Sequence, residues 1–247
     1  MVSSWTDAEL YRRGCATLVA SWAEYASGCE AATVRRLPGV DVAVFARDPE
    51  RAVYNNALLR RDAPAATALE DLAAAYGAAG VRHFAAWVHD SDEAARVALV
   101  SRGYTLDTTT RAMGMPLRDL PVPDPGIEVR PVDWPDYLAM ADLPPDFLRT
   151  ADHAALHPLV ARDGDGIVAA ALAYDHEGDC GIYNVATVPR ARRHGFATAV
   201  TATQLHHARN RGCETASLQS TPMAERLYAA LGFRDLGSFL EYAPPFH

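Results

Sequence analysis

The sequence predicts a mixed α/β fold (α+β in layout): a central, mostly antiparallel sheet flanked by helices, in tandem. Three observations carry this. Apolar runs between His157 and Val188, separated by Asp/Gly turns, form a three-strand meander that feeds a glycine turn and a helix. An order of strand, helix, Gly-aromatic, strand occurs twice, closing at Gly103-Tyr104 and again 129 residues later at Gly232-Phe233. Between the two copies Arg118–Gly126 carries three prolines and a glycine, which favours an extended connection. The chain is therefore divided into residues 1–117, a linker at 118–126, and residues 127–247.

The first half begins with a helix from Thr6 to about Ala26, with Leu10, Cys15, Leu18, Val19 and Trp22 at helical spacing and Thr6 or Asp7 to cap it. Thr33–Leu37 and Val40–Ala46 follow as strands joined through Pro38-Gly39. Pro64 starts a helix that ends near Gly80. A strand at His83–Val88, a helix at Asp92–Val100 and a polar strand at Thr105–Met115 complete this half. Matching the two Gly-aromatic pairs sets Leu99 opposite Tyr228. The first half also has no turn of the Arg-x-x-Gly-x-Gly/Ala kind after a strand, so it is expected to be a chemically silent copy.

In the second half Ile127–Pro131 is a short strand, and Trp134–Leu143 a helix stopped by Pro144-Pro145. The meander runs through His157–Arg162, Ile167–Tyr174 and Gly181–Val188, with turns at Asp163–Gly166 and Asp175–Asp179. Then come Pro189-Arg190-Ala191-Arg192-Arg193-His194-Gly195-Phe196-Ala197, a helix to about Arg209, a strand at Thr215–Gln219, and a helix ending in Tyr228-Ala229-Ala230-Leu231-Gly232-Phe233.

The stretch from Arg192 to Thr198 is built for an anion. Backbone N–H groups at the start of a helix have no intrahelical partners and sit at the positive end of its dipole. Gly195 and the small Ala197 let that backbone approach a pyrophosphate closely. Arg190, Arg192 and Arg193 add positive charge, or are solvated surface residues.

Composition bounds the partners. With 49% hydrophobic and 22% charged residues, 247 residues supply core for one large or two ordinary domains. A net charge of −8 argues against sequence-independent nucleic-acid binding. Cys15, Cys29, Cys180 and Cys213 have no metal-ligand spacing, so no metal and a reducing, cytoplasmic setting are expected. The N-terminal residues lack a signal-peptide pattern, and no apolar run reaches the roughly 18–20 residues of a membrane helix.

The turn Arg192-Arg193-His194-Gly195-Phe196-Ala197 and the later Tyr228-Ala229-Ala230-Leu231-Gly232-Phe233 resemble, in this order, the R/Q-x-x-G-x-G/A turn and Y-x-x-L-G-F signature of the GNAT superfamily of acyl-CoA N-acyltransferases. The resemblance covers residues 127–243. It implies a GNAT-like sheet and acetyl-CoA as cofactor, with the pyrophosphate on Arg192, Arg193, His194, Gly195, Phe196, Ala197 and Thr198. It also implies that the strand Val185-Ala186-Thr187-Val188 parts from Thr215–Gln219 and takes the pantetheine arm in the gap. Tyr228 corresponds to the general acid for the departing thiolate. Thr221 occupies the position, seven before the tyrosine, where an Asn often contacts the cofactor. For the base, the family often uses the neighbourhood of Asp175, His176, Glu177 and Asp179, which a polar hairpin turn explains equally well; Glu177 is the candidate named. Tyr183, Asn184 and Trp134 are candidates for the acceptor pocket, with Tyr137 and Phe147 beside them.

The expected function is acetyl transfer from acetyl-CoA to a primary amine of a small molecule or peptide by direct attack. The alternative is a non-catalytic sensor or regulatory module that binds CoA or acyl-CoA. A monomer with pseudo-dimeric halves is expected, without nucleic acid or membrane.

Overall fold

A computed structural model describes residues 5–50, 54–118, 120, 122–124, 126–141, 143, 145, 153–164 and 166–245. The chain divides into two compact units, each assembled from two separate segments of the sequence. Met1–Ser21 and Ala112–Leu236 make the C-terminal unit; Trp22–Arg111 and Gly237–His247 make the N-terminal unit.

In the N-terminal unit α1 (Asp7–Ser27) contributes its last turns. The helix starts in a capping box: the Thr6 hydroxyl accepts from the Glu9 N–H, and the Glu9 carboxylate accepts from the Thr6 N–H. Strands β1 (Ala32–Leu37), β2 (Val40–Phe45) and β3 (Asn56–Leu59) are antiparallel neighbours. Helix α2 (Ala65–Ala79) then crosses over to β4 (Ala85–His89), which lies parallel to β3. Helix α3 (Glu93–Ser101), capped by the Asp92 carboxylate at 3.1 Å from the Ala95 N–H, leads into β5 (Thr105–Pro116). The chain's last strand, β11 (Arg234–Ala243), pairs antiparallel with β4 through Phe239–Tyr242. One face of this sheet buries Val40, Val42, Ala86 and Val88 under Leu69, Leu72, Tyr76 and Leu99. Leu99, opposite Tyr228 in the repeat, is a core residue.

The C-terminal unit repeats the plan. Strands β6 (Val129–Pro131), β7 (Leu156–Asp163), β8 (Gly166–His176) and β9 (Asp179–Thr187) form an antiparallel run. Helix α4 (Trp134–Ala141) packs on β7, β8 and β9. After β9, helix α5 (Phe196–Arg211) crosses over to β10 (Thr215–Ser220), parallel to β9, and α6 (Glu225–Ala230) follows. Met113, Met115 and Leu117 at the end of β5 join Leu205, Ala216, Leu218, Leu231 and Phe233 in the core of this unit.

The mixed, mostly antiparallel sheet flanked by helices is the fold class the sequence predicts. Element ends differ from expectation by a few residues, the usual imprecision of frayed termini. Two strands are not among those the sequence predicts, β3 and β11. β3 is only four residues long, and β11 finds β4 about 150 residues away in sequence. Pro144, Phe147 and Asp165 lie outside the described residues, as do 119, 121 and 125 of the proline-rich stretch. Among the described residues no helix is long and apolar enough to cross a membrane.

Candidate active site

Two breaks in the pairing of β9 shape the site. Its parallel register with β10 runs Asp179↔Thr215, Cys180↔Ala216, Gly181↔Ser217 and ends there. Beyond Gly181 the two strands part. On the other edge β9 carries one extra residue against β8, since Ala170 faces Ala186 while Leu172 faces Tyr183. Asn184 sits in this bulge at φ 52°, a left-handed conformation that Asn tolerates better than most residues. The bulge and the parting both fall on the stretch that includes Val185, Ala186 and Thr187, which are partly exposed. Val188 follows directly, its N–H bonded to the Val168 carbonyl at 2.9 Å.

The apex of the gap is pinned from the face opposite the α5 and α6 core. Asp179, 2% exposed, accepts the Thr215 hydroxyl at 2.6 Å on one carboxylate oxygen and the Ser217 hydroxyl at 2.7 Å on the other. The Arg13 guanidinium donates to the Thr215 hydroxyl at 2.9 Å and to the Glu177 carbonyl at 2.8 Å. Gly14 of α1 lies close to Ser217, where a Cβ would come within 2.9 Å of the Ser217 Cβ. The sequence signal for this clamp was present but weak: Thr215 and Ser217 alternate with Ala216 and Leu218, which face the core.

After β9 the chain makes a short 3-10 turn at Pro189–Ala191 and enters α5 through Arg193 at φ 65° and Gly195 at φ 86°. Gly195 is the N-cap and no side chain caps the helix. The first turn of α5 contains no acid, and its last turn carries Arg209 and Arg211. Arg192, Arg193, His194, Gly195 and Thr198 are exposed, with Phe196 and Ala197 half-buried. The Arg192 side chain donates to the Thr187 carbonyl at 3.3 Å, and the His194 ring meets the Arg192 carbonyl at 2.8 Å. Phe196 and Val200 anchor the helix start on Leu159, Ala169 and Ala171.

Tyr228 on α6 is 6% exposed and packs edge-on to Phe233. Its hydroxyl has no hydrogen-bond partner among the described residues, and burial pushes its pKa up to about 12. Cys180, Ile182, Ala216 and Leu218 of the two parting strands share its core. Thr221 is exposed just beyond the end of β10, its carbonyl accepting the Ser220 hydroxyl at 2.9 Å.

On α4, Trp134 packs on Tyr137 with ring centroids 5.1 Å apart, and the Tyr137 hydroxyl accepts from the Asn184 side chain at 3.2 Å. Burial lifts Tyr137 to about 12 against the lowering effect of that bond. The structure thus brings Trp134 and Asn184 together through Tyr137, which lies 47 residues before Asn184 in sequence. Tyr183 lies back over Gly181, where any Cβ would overlap its phenol. Phe147 is outside the described residues.

Glu177 stands at the tip of the β8–β9 hairpin, at φ 46°. At about 3.3 Å per strand residue it is roughly 20 Å along the chain from Asn184. Asp175 is engaged twice by the Arg211 guanidinium, at 2.6 and 2.9 Å. Burial alone would raise its pKa, but these bonds prevail and hold it below the usual carboxylate range. Burial raises both thiols of this unit, Cys213 to about 12 and Cys180 well above the usual thiol range, so neither exists as a nucleophilic thiolate near neutrality.

A sequence model described as the acetyltransferase (GNAT) family matches residues 123–233, a span that includes the strand gap, the glycine turn and Tyr228. Residues 123–233 are a GNAT acetyltransferase domain. Solved structures extend the likeness over more of the chain. A GCN5-related N-acetyltransferase from Kribbella flavida superposes with a TM-score of 0.74 at 18% identity, covering 96% of each chain. Another, from Sphaerobacter thermophilus, gives 0.62 at 17% identity over 84% of this chain and 78% of its own. At such identities the likeness is one of fold, and it takes in the N-terminal half beside the GNAT domain. Among curated proteins none matches.

Proposed function

We propose that the GNAT domain transfers an acetyl group from acetyl-CoA to a primary amine of a small molecule or peptide by direct attack. The observation that carries this reading is the parting of β9 from β10 directly before the glycine-capped start of α5. The residues fit the cofactor: a left-handed glycine and an uncapped helix start offer backbone N–H groups from Arg193 to Thr198 to a pyrophosphate. Arg192 stands at the entry to that turn, Thr221 just beyond the end of β10, and Val185–Val188 present strand backbone along the gap. When bound, acetyl-CoA supplies an activated thioester.

Backbone N–H groups near Val185 and Ala186 are the oxyanion donors in this reading. Tyr228 holds a proton on a hydroxyl that no described neighbour competes for, as a general acid must. Trp134, Tyr137, Tyr183 and Asn184 frame the acceptor amine. Its deprotonation is assigned to water beside the exposed Asn184, since Glu177 stands too far along the strand for direct contact.

The test is calorimetric titration with acetyl-CoA together with thiol release against a broad panel of amines. Thiol release that depends on both substrates supports the proposal. Tight binding with no transfer to any amine would favour the non-catalytic CoA-binding module instead.

A further inference from the structure

The N-terminal unit contains a cavity of about 600 Å³, within the range of small-molecule sites. It opens beside Gly77 of α2, where an added Cβ would meet nothing within 4 Å. Its inner wall is apolar. The rings of Tyr76 and Phe84 stack at 4.1 Å, Tyr104 lies 6.1 Å from Phe84, and Leu69 closes the wall.

The polar groups of the lining differ in how far the fold has already used them. The Tyr76 hydroxyl donates to the Ala43 carbonyl at 3.0 Å. Glu50 is taken by Arg82 and by His83 at 2.9 Å. Tyr104, by contrast, is 8% exposed and its hydroxyl has no hydrogen-bond partner among the described residues. Arg102 is the least committed charge. Glu70, with a side chain 75% exposed, approaches it only to 4.0 Å, and its bond to the Ala98 carbonyl is a long 3.4 Å. The positive field of Arg102 reaches the Tyr104 phenol, whose pKa burial raises and Arg102 lowers. An apolar wall thus carries a weakly engaged cation and a hydroxyl without a partner among the described residues, the one within reach of the other's field.

We propose that this cavity binds a small carboxylate with an apolar body, its carboxylate on Arg102 and the Tyr104 hydroxyl and its body against Phe84 and Leu69. Such a ligand replaces a weak, solvent-exposed contact with Glu70 by a charge-assisted one inside the cavity. The site is independent of acetyl transfer and gives the copy that lacks Tyr228 a ligand of its own.

Calorimetry of the full chain with 4-phenylbutyrate and octanoate tests this, with 4-phenylbutyramide and 4-phenylbutylamine as neutral and cationic controls. Both carboxylates are expected to bind saturably, with the amide and the amine weaker by about tenfold or more. Arg102→Gln should weaken the carboxylates by about tenfold, and Tyr104→Phe by a smaller factor. Gly77→Leu should abolish binding, and leucine is favoured over glycine within a helix, so this variant keeps its fold. No saturable carboxylate binding up to about 10 mM, an amine that binds as well as the acid, or affinity unchanged by Arg102→Gln or by Gly77→Leu would each overturn the proposal.

Discussion

At the scale of single residues, Tyr228 combines deep burial with a hydroxyl that nothing described accepts or donates to. Tyr228→Phe is expected to lower kcat by about 10²–10³-fold with the KM for acetyl-CoA nearly unchanged, because general-acid assistance acts in the transition state. Steady-state kinetics check this. With its pKa raised to about 12, the phenol keeps its proton at every ordinary pH. No alkaline fall in kcat from this group should therefore appear below about pH 10. Tyr228 and Gly195 were legible in the sequence because their roles follow from near neighbours, a helix end in one case and a helix start in the other. Asp179 was legible only as one of four polar turn residues. Its partners Thr215 and Ser217 lie 36 and 38 residues on, and strand pairing alone brings them together.

At the scale of elements, the entry to α5 and the apex of β9 and β10 should respond differently to substitution. Gly195→Ala places a side chain at φ 86°, costing about 1–2 kcal/mol, so the turn that aims the helix-start N–H groups must shift, while the methyl itself meets only Ile127 at 3.5 Å. The affinity for acetyl-CoA is expected to fall by about tenfold or more, beyond the effect on the melting temperature. Asp179→Ala leaves two buried hydroxyls without their acceptor and opens a small void. A loss of about 2–4 kcal/mol is expected in denaturant unfolding. The helices and the meander were readable from periodicity and turn residues. The bulge at Asn184 was not, since it exists only as a mismatch of register between two strands.

At the scale of the whole molecule, pH should act on stability through Glu241 of β11, which burial lifts from 4.5 to about 7. Thr110 lowers it and Asp107 adds to the rise. Between about pH 4.5 and 7 the folded chain holds a proton that the unfolded chain has released, so stability falls as pH rises. Above pH 7 the full cost applies, at most about 3 kcal/mol. Glu241→Gln should therefore raise the melting temperature at pH 8 and leave it nearly unchanged at pH 4. The tandem plan was visible in the 129-residue spacing of the Gly-aromatic pairs, and the way the ends of the chain are shared was not. That sharing matters during synthesis. The outer edge of β4 receives Phe239–Tyr242 as its partner, a segment made about 150 residues later in synthesis. A nascent chain that has already made β1 to β4 must carry an open, pairing-competent edge for some 150 residues more, and is then most exposed to aggregation and most dependent on chaperones.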